Sequence, residues 1–352
     1  MQIDQDNCLA INGHFLKQPV TGVQRYAHEI IRVFDHEQIP YRYVEPPESL
    51  ESDSLRQLWM QGVMPFKTSK NELLWSPTNI GPVLKEKQVI TLHDIADQLY
   101  PEWFNDRYVQ WRSLILPSLL RRVKGIITVS QYSKQTILEQ FPYTEGKINV
   151  IYNGVRLEHF YKRDAQEVKL LRDKYNLKHP FVITVGSLDP RKNTNRLLKA
   201  WNLISKSYSR DIELAIVGGG METFDFAIEE SIGENVRFLG YVDDEDLPGL
   251  YTAAQVFIYP SLFEGFGLPV LEAMACQTPV ITSNTTSLSE LAQNYALTIN
   301  PHTVKDIARG LEQLLTDQHR REEMSAKGYD YARKFKWSKS ARKTYQYLCS
   351  KQ

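Results

Sequence analysis

Short apolar runs rich in β-branched residues alternate with helix-like segments through most of the chain, and this alternation constrains the fold more than any other feature. In the first half the predicted strands are Cys8–Asn12, Leu73–Ser76, Val89–His93, Gly125–Ser130 and Ile148–Tyr152. In the second half they are Phe181–Gly186, Ile212–Gly218, Val236–Gly240, Val256–Pro260, Pro279–Thr282 and Ala296–Ile299. The intervening segments carry apolar residues at helical spacing, as in Val23–Val33, Leu197–Ile204, Leu268–Ala275 and Val304–Leu315. Continuously apolar strands, each followed by a helix, are typical of parallel sheets buried on both faces. Two such sets predict two doubly wound α/β domains.

A chain breaker separates the two sets of predicted strands. It is the Asn-Gly pair at positions 153–154, and the charged, helix-like segment Tyr161–Lys178 follows it. We therefore expect an N-terminal domain of residues 1–170 and a C-terminal domain of residues 171–335. The tail Asp317–Gln352 contains no predicted strand, and its interleaved charges and aromatic residues indicate one or two amphipathic helices.

Composition argues against several classes of protein. The 42 Lys and Arg residues balance 42 Asp and Glu residues, so no global charge favours nucleic acid. The three cysteines, Cys8, Cys276 and Cys349, are too scattered for a disulfide framework or a metal site, which favours a reducing compartment. The polar N-terminus lacks the pattern of a signal peptide, and no run approaches the ~18 apolar residues that span a bilayer. We expect a cytoplasmic protein, at most peripheral to the membrane.

The segment Ser261–Cys276, SLFEGFGLPVLEAMAC, is the most informative part of the sequence. A predicted strand passes through a loop with two glycines into a helix that begins near Gly267. Gly265 and Gly267 would let backbone N–H groups approach a ligand closely, and the start of the helix suits a phosphate. Glu264 would then point beyond the phosphates, and Glu272 would receive two ribose hydroxyls. The alternative is that Glu264 caps the helix and Glu272 is solvated, but the glycines and the preceding strand favour a sugar-nucleotide site.

A second segment, Gly186–Asn193 or GSLDPRKN, places two adjacent cations after a predicted strand. Arg191 can form paired hydrogen bonds with phosphate oxygens, and Lys192 adds a point charge. Together they would neutralise a diphosphate leaving group without a metal ion. The alternative for this dipeptide alone is a solvated basic turn.

Thr91–Asp94, TLHD, ends another predicted strand. His93 would offer a neutral nitrogen or a positive donor to a sugar hydroxyl or a developing charge, and Asp94 would orient it or bind a hydroxyl. A lone histidine is more often structural, so this motif carries less weight than the two above.

Two glycine motifs complete the set. Gly22 in Val20–Tyr26, VTGVQRY, would let the start of the first helix approach a phosphate or the reacting sugar. The run Gly218–Gly220 does not fit the dinucleotide-binding fingerprint, and it indicates a turn that lines a cleft.

Taken together, these segments resemble the large family of retaining glycosyltransferases that includes bacterial mannosyltransferases, sucrose synthases and glycogen synthases. The resemblance is dense over Phe181–Pro301 and ordered in the first half, where the matching motifs are VTGVQRY, TLHD, ITVSQYSK and VIYNGV. It implies the GT-B fold, two facing Rossmann-like domains, with a C-terminal helix at residues 336–352 that packs back on the N-terminal domain. The Pro-Arg-Lys-Asn turn is similar to a branch common in O-antigen and exopolysaccharide assembly.

The resemblance also implies a role for each candidate residue. The implied catalytic set is Glu264, His93, Arg191 and Lys192. The implied donor-binding set is Gly22, Ser187, Arg191, Lys192, Tyr241, Val242, Glu264, Gly265, Phe266, Gly267, Leu268, Val270 and Glu272. In this set Tyr241 and Val242 stand where the family's backbone contacts the base. Ser187 stands where many relatives carry Arg, so one phosphate contact is missing. No metal ligand and no cofactor are implied beyond the nucleotide-diphosphate sugar itself.

The implied reaction is front-face transfer of a hexose with retention of the anomeric configuration. The leaving diphosphate helps to deprotonate the acceptor hydroxyl, so no side-chain nucleophile is needed. A mannose-like donor such as GDP-mannose is favoured, with a saccharide or lipid-linked saccharide as the acceptor. An inactive binding or scaffold subunit, or a nicotinamide-dependent enzyme, would be a different function for the same pattern of strands and helices.

The basic and apolar segment Asn105–Lys124 is a candidate membrane contact, although a core-packed helix is the favoured interpretation.

Overall fold

The computed structural model describes residues 9–50, 52–205, 212–219, 233 and 235–352 of the chain. It contains two compact α/β units. One consists of the described residues up to Gly154 together with Trp337–Gln352, and the other is Val155–Lys336.

The elements are numbered along the chain. The strands are β1 Leu9–Asn12, β2 Tyr41–Val44, β3 Leu74–Ser76, β4 Gln88–Thr91, β5 Gly125–Thr128, β6 Ile148–Val150, β7 Phe181–Val185, β8 Glu213–Val217, β9 Val236–Gly240, β10 Val256–Tyr259, β11 Val280–Ser283 and β12 Leu297–Ile299. The α-helices are α1 Gly22–His36, α2 Asp53–Gly62, α3 Ala96–Leu99, α4 Asp106–Arg122, α5 Gln131–Gln140, α6 Ala165–Lys174, α7 Thr194–Ser205, α8 Leu247–Ala253, α9 Leu268–Ala275, α10 Thr286–Ala292, α11 Val304–Thr316, α12 Gln318–Ala332 and α13 Trp337–Cys349.

The first unit is built on a six-stranded parallel sheet in the order β2-β1-β3-β4-β5-β6. Its last helix, α13, comes from the far end of the chain and packs on α1, where the rings of Phe34 and Tyr345 lie 5.9 Å apart. Ser340 of the same helix donates a hydrogen bond to the Tyr152 carbonyl at 2.6 Å. The C-terminal helix therefore completes the first unit.

The second unit has a six-stranded parallel sheet in the order β9-β8-β7-β10-β11-β12. Helices α7 and α11 cover one face of it, where Trp201 and Leu311 pack with Ile258 in a fully buried core. The strand order reverses between β7 and β10. In open parallel sheets, ligands bind at the carboxyl ends of the strands on either side of such a reversal.

Every predicted strand overlaps an observed one, with ends that differ by at most two residues. The edge strand β2, Tyr41–Val44, was missed because its alternate side chains are partly exposed and form no apolar run. Strand β4 ends at Thr91, so His93 lies in the loop beyond it. Cys8 and Gly220 fall outside the described residues.

The segment between the two sheets belongs to the second unit, whereas the boundary predicted from sequence was 170/171. Helix α6 packs on α8, and Lys174 and Tyr175 both donate hydrogen bonds to Asp246. Arg163 donates its backbone N–H to Thr252 at 3.1 Å. These bonds attach helix α6 and the residues on either side of it to the second unit.

Helix α4 covers the predicted membrane-contact segment, and part of it points inward. The Arg112 guanidinium is buried, with its Nε 3.1 Å from Asp97 Oδ2, and Leu119 is fully buried. Leu114 and Tyr108 are exposed. Arg112 and Leu119 are thus core residues, as the favoured interpretation of a core-packed helix expects. Among the described helices, none is long and apolar enough to cross a bilayer.

Candidate active site

Two loops of the second unit meet where its strand order reverses. The loop after β7 carries Arg191 and Lys192, and the loop after β10 carries Glu264. Leu262 donates its backbone N–H to the Arg191 carbonyl at 2.7 Å. The Asn193 amide, whose residue has a left-handed φ of 62°, donates to the Pro260 carbonyl at 3.0 Å. These bonds explain why two motifs far apart in the sequence form one site.

Lys192 lies at the centre of this site. Its Nζ is 2.6 Å from Glu264 Oε1 and 2.7 Å from the Tyr259 hydroxyl. Its aliphatic chain rests against Gly186, where an added Cβ would lie 3.3 Å from the lysine carbons. Burial alone would lower the pKa of Lys192, but the charge of Glu264 and the two hydrogen bonds outweigh it and raise the pKa. Lys192 is therefore a fixed cation across the physiological range.

Arg191 is engaged within its own turn. Asp189 accepts the Arg191 backbone N–H at 2.9 Å, and its two oxygens lie 3.0 and 2.9 Å from Arg191 Nε. Burial would raise the pKa of Asp189, but the hydrogen bonds and charge of Arg191 outweigh it and lower the pKa. The predicted fork onto phosphate would require Arg191 to share its guanidinium with Asp189, a partner that was not predicted from the sequence.

The loop after β10 enters helix α9 through Gly267. This glycine has φ 107°, a conformation that side-chain-bearing residues rarely adopt, and an added Cβ would lie 2.6 Å from Leu288 Cδ2. No side chain caps the first turn of α9, where Pro269 has no N–H and Val270 donates its N–H to the Gly267 carbonyl at 3.1 Å. The Leu268 N–H and the positive dipole end of the helix suit an anion. Ser287 donates to the Glu264 and Phe266 carbonyls at 2.7 and 3.1 Å. The predicted start of the helix is confirmed.

The two glycines of this loop differ in their backbone requirement. Gly267 has a positive φ and Gly265 does not, so a left-handed backbone explains only Gly267, and the close approach of a ligand to Gly265 stays a prediction. Gly265 and Phe266 are both buried in the loop, and Leu268 and Val270 form the first turn of α9.

Glu272 lies one turn into α9 and is 7% exposed. Its Oε2 accepts a hydrogen bond from the Tyr251 hydroxyl at 3.3 Å. Burial first, and then the charge of Glu272, raise the pKa of Tyr251 well above its ordinary value, so the phenol stays protonated and acts as the donor. The alternative of a solvated Glu272 is therefore wrong.

Three glycines, Gly186, Gly218 and Gly240, pack closely at the carboxyl ends of neighbouring strands of the second sheet. Gly218 has φ 150°, and an added Cβ would lie 1.8 Å from the Gly186 carbonyl oxygen. Gly218 donates its N–H to the Gly240 carbonyl at 2.9 Å. This close packing of backbones accounts for the glycine at the end of β8. The candidate base contacts follow Gly240 at the sheet edge, where Tyr241 is exposed and Val242 is buried.

The remaining candidates, His93 and Gly22, lie in the first unit. His93 is buried, and its Nε2 is 3.1 Å from the Pro77 carbonyl oxygen, which can only accept a hydrogen bond. Nε2 therefore carries the proton, and burial lowers the pKa of His93 to about 4. The Pro77 carbonyl therefore orients the imidazole. The Asp94 carboxylate accepts the Ala96 N–H at 3.0 Å.

Gly22 is the first residue of α1. No atom lies within 4 Å of the position that a Cβ would take there, which leaves open space above the start of the helix.

Several residues of the site were not predicted from sequence. Each of them holds a candidate residue or loop through a hydrogen bond, and they are Asp189, Asn193, Tyr251, Tyr259 and Ser287. Asp189 alone had a local signal, because Asp before Pro-Arg-Lys is typical of a capped turn. Among the described residues, no cluster of three or more His, Cys, Asp or Glu side chains could hold a metal ion.

Comparisons with known proteins agree with this architecture. Residues 168–331 match the family model described as Glycosyl transferases group 1, and residues 73–159 match Glycosyltransferase Family 4. The chain is 33% identical over 294 residues to O-antigen chain mannosyltransferase B of Escherichia coli, covering 82% of this chain and 76% of that protein. Among solved structures, sucrose-phosphate synthase from Thermosynechococcus elongatus gives a TM-score of 0.75 at 19% identity, covering 97% of this chain and 98% of that one. Anabaena HepE in complex with UDP and glucose gives 0.74 at 19% identity, covering 98% and 99%. The chain accordingly belongs to the group 1 glycosyl transferases and is a glycosyltransferase with the GT-B fold.

Proposed function

We propose that this enzyme transfers mannose from GDP-mannose, with retention of configuration and without a metal ion, to a saccharide or lipid-linked saccharide acceptor. The setting is the assembly of an O-antigen or a related polysaccharide. The name of the Escherichia coli relative supports mannose and the O-antigen setting. The HepE complex supports a nucleoside diphosphate sugar as the donor, because that protein of similar fold holds UDP and glucose. The single observation that carries the proposal is the cluster of Lys192, Glu264 and Tyr259 beside the uncapped start of α9.

The diphosphate would bind between Lys192 and the first turn of α9. The ammonium supplies a full positive charge, and the helix start supplies the Leu268 N–H and a partial positive charge. Both are in place before the reaction, so they stabilise the charge that develops on the leaving diphosphate without reorganisation. This is the support for transfer without a metal ion.

Glu264 would act on the donor sugar by electrostatics. Its Oε1 lies 2.6 Å from Lys192 Nζ, so the carboxylate lies next to the proposed diphosphate site. A negative group beside the anomeric carbon stabilises positive charge there as the bond to the diphosphate breaks. This role suits front-face transfer, in which the diphosphate oxygen takes the proton of the acceptor hydroxyl.

Glu272 would bind the ribose. Its hydrogen bond from Tyr251 orients the carboxylate, and an ionised carboxylate accepts up to about four hydrogen bonds, so two ribose hydroxyls can add to it.

We place the enzyme in the cytoplasm, in peripheral contact with the membrane that carries a lipid-linked acceptor. The exposed Leu114 and Tyr108 of α4 lie on the same helix as Arg107 and Arg121, a combination suited to an anionic bilayer. Nucleic acid is not among the proposed partners, since positive and negative side chains balance. Flotation with vesicles that contain anionic lipid tests the membrane contact, and absence of binding would contradict it.

A thermal-shift panel of GDP, UDP, ADP and dTDP and their sugar conjugates tests the donor. A nucleotide that binds the folded protein raises its melting temperature by mass action. We expect GDP and GDP-mannose to do so equally with and without EDTA, and Glu272→Ala to abolish the effect. Absence of a shift from every nucleotide, with the protein folded, would favour an inactive scaffold. The anomeric configuration of the product, read by NMR, tests retention.

A further inference from the structure

Three buried aromatic side chains form a continuous row in the second unit, which we call the aromatic row: Tyr251, Phe257 and Tyr259. Phe257 and Tyr259 share a face of β10 because side chains two residues apart on a strand point the same way. Their rings stack with centroids 5.7 Å apart, and Tyr251 of α8 packs edge-on against Phe257 at 5.3 Å. None of the three is more than 2% exposed, so each ring is held in one position.

Each end of the aromatic row carries a phenol bonded to a candidate donor-binding group. The Tyr259 hydroxyl accepts from Lys192 Nζ at 2.7 Å. The Tyr251 hydroxyl donates to Glu272 Oε2 at 3.3 Å. The two phenols therefore hold side chains that the proposed function assigns to different parts of the donor, the diphosphate and the ribose.

We propose that Tyr259 is a positioning residue that holds the Lys192 ammonium in place while this lysine exchanges one anionic partner, Glu264, for the donor diphosphate. The inference rests on the proposed function and adds a residue to it. A lysine ammonium has three N–H donors, of which Tyr259 and Glu264 take two in the described structure. The bonds to Tyr259 and Glu264 fix the direction of the third N–H. The four-carbon side chain therefore loses little further conformational entropy when it binds a phosphate.

A neutral anchor is suited to this exchange. An anionic anchor would compete with the diphosphate for the same positive charge, whereas a phenol does not. Burial first, and then the charge of Glu264, raise the pKa of Tyr259, so its hydroxyl stays neutral in the physiological range. Glu264 is the anionic partner of Lys192, and it lies on the loop after β10 and is itself hydrogen-bonded to Tyr259.

Tyr251 supplies a matched control for the experiment. Tyr259→Phe and Tyr251→Phe each remove one hydroxyl from the same aromatic row and keep the ring, so we expect both variants to fold, and their melting temperatures check this. Calorimetry then measures the affinity of each for GDP and GMP and for UDP and UMP. The monophosphates keep the base, the ribose and one phosphate.

We expect Tyr259→Phe to weaken binding of the diphosphate about tenfold and to leave the monophosphate within about twofold. Tyr251→Phe should weaken both by the same factor. In a Lys192→Met background, Tyr259→Phe should have no further effect on the diphosphate, because a positioning residue acts only through its partner.

Two results separate the failure of this inference from the failure of the proposed function. Equal weakening of diphosphate and monophosphate by Tyr259→Phe, or the same loss in the Lys192→Met background, would overturn the role of Tyr259 and leave the proposed function standing. A wild-type protein that binds neither GDP nor UDP would overturn the proposed function and this inference with it.

Discussion

Lys192 and Glu264 are 72 positions apart in the chain, yet Lys192 Nζ lies 2.6 Å from Glu264 Oε1. The pair joins the loops after β7 and β10, the two strands at which the sheet of the second unit reverses its order. One residue brings a cation to the proposed diphosphate site, and the other brings a carboxylate to the proposed sugar site. Substitutions in this pair, and in the structure that holds it, test both assignments.

Replacing Lys192 by methionine should lower kcat/KM with the donor by about 10²–10³-fold, because preorganised charge on a leaving group typically contributes that much. Lys305→Met, at an exposed position of α11, is the matched control and should leave kcat/KM within about twofold. Steady-state assays of both variants make the measurement, and similar kinetics in the two would contradict a role for Lys192 at the diphosphate.

Replacing Glu264 and replacing Glu272 by glutamine should have different effects on turnover and on nucleotide affinity. Glu264→Gln should lower kcat by about 10²-fold or more while the affinity for the nucleoside diphosphate changes less than about threefold, because its charge acts at the sugar. Glu272→Gln should weaken nucleotide affinity about tenfold, because its hydrogen bonds are to the ribose. Calorimetry and turnover assays on both variants test this. The assignment of the two ends of the donor is wrong if the pattern is reversed.

Gly267→Ala should lower the free energy of unfolding by about 1–3 kcal/mol. Its φ of 107° disfavours any side chain, and the new Cβ would lie 2.6 Å from Leu288 Cδ2. Gly62→Ala, at the end of α2, has a negative φ and no atom within 4 Å of the new Cβ, so we expect a change of less than about 0.5 kcal/mol. Urea unfolding of the two variants gives the comparison, and equal stabilities would show that the left-handed Gly267 is not required.

His93 should make stability depend on pH. Burial lowers its pKa to about 4, whereas an unfolded histidine titrates near 6.5. The unfolded state therefore binds more protons between these values, and the free energy of unfolding falls as the pH drops from about 6.5 toward about 4. The contribution is complete above pH 6.5, and roughly 2 kcal/mol of it should be lost by pH 5.

Urea unfolding at pH 7.5 and pH 5 measures this effect in the wild type and in His93→Asn. The variant should lose less stability between the two pH values. Part of the pH dependence should remain, because burial also lowers the pKa of His14 in the same unit. An identical loss in both proteins would mean that His93 is not a neutral, buried group.

Much of the fold was predictable because it rests on local patterns. Helix α9 was predicted with its observed bounds, Leu268–Ala275, because its apolar residues recur at helical spacing. In the structure a left-handed Gly267 precedes it and Gln277, with positive φ, follows it. The strand β2, Tyr41–Val44, was missed because an edge strand with partly exposed side chains has no apolar run to detect.

The candidate site was predicted less completely. Arg191 and Lys192 were both predicted to bind the diphosphate, but in the structure Arg191 is hydrogen-bonded to Asp189, and Lys192 to Glu264 and Tyr259. Which side chains pair across two loops depends on how close the loops lie in the fold. The residues next to them in the sequence do not determine this. Tyr251 and Tyr259 have no sequence signal at all, because a buried tyrosine on a strand or helix is indistinguishable from a core residue until its hydroxyl partner is known.

All the buried parallel strands except the edge strand β2, several of the helices and the loops that carry the cations and carboxylates could be read from local sequence. Burial on both faces requires continuous apolar runs, and tight turns require glycine, so each of these features leaves a mark in neighbouring residues. Which loops are neighbours, by contrast, follows from the order of the strands in the folded sheet. Strand order is not a local property, and the reversal between β7 and β10 is what places Lys192 against Glu264 and Tyr259.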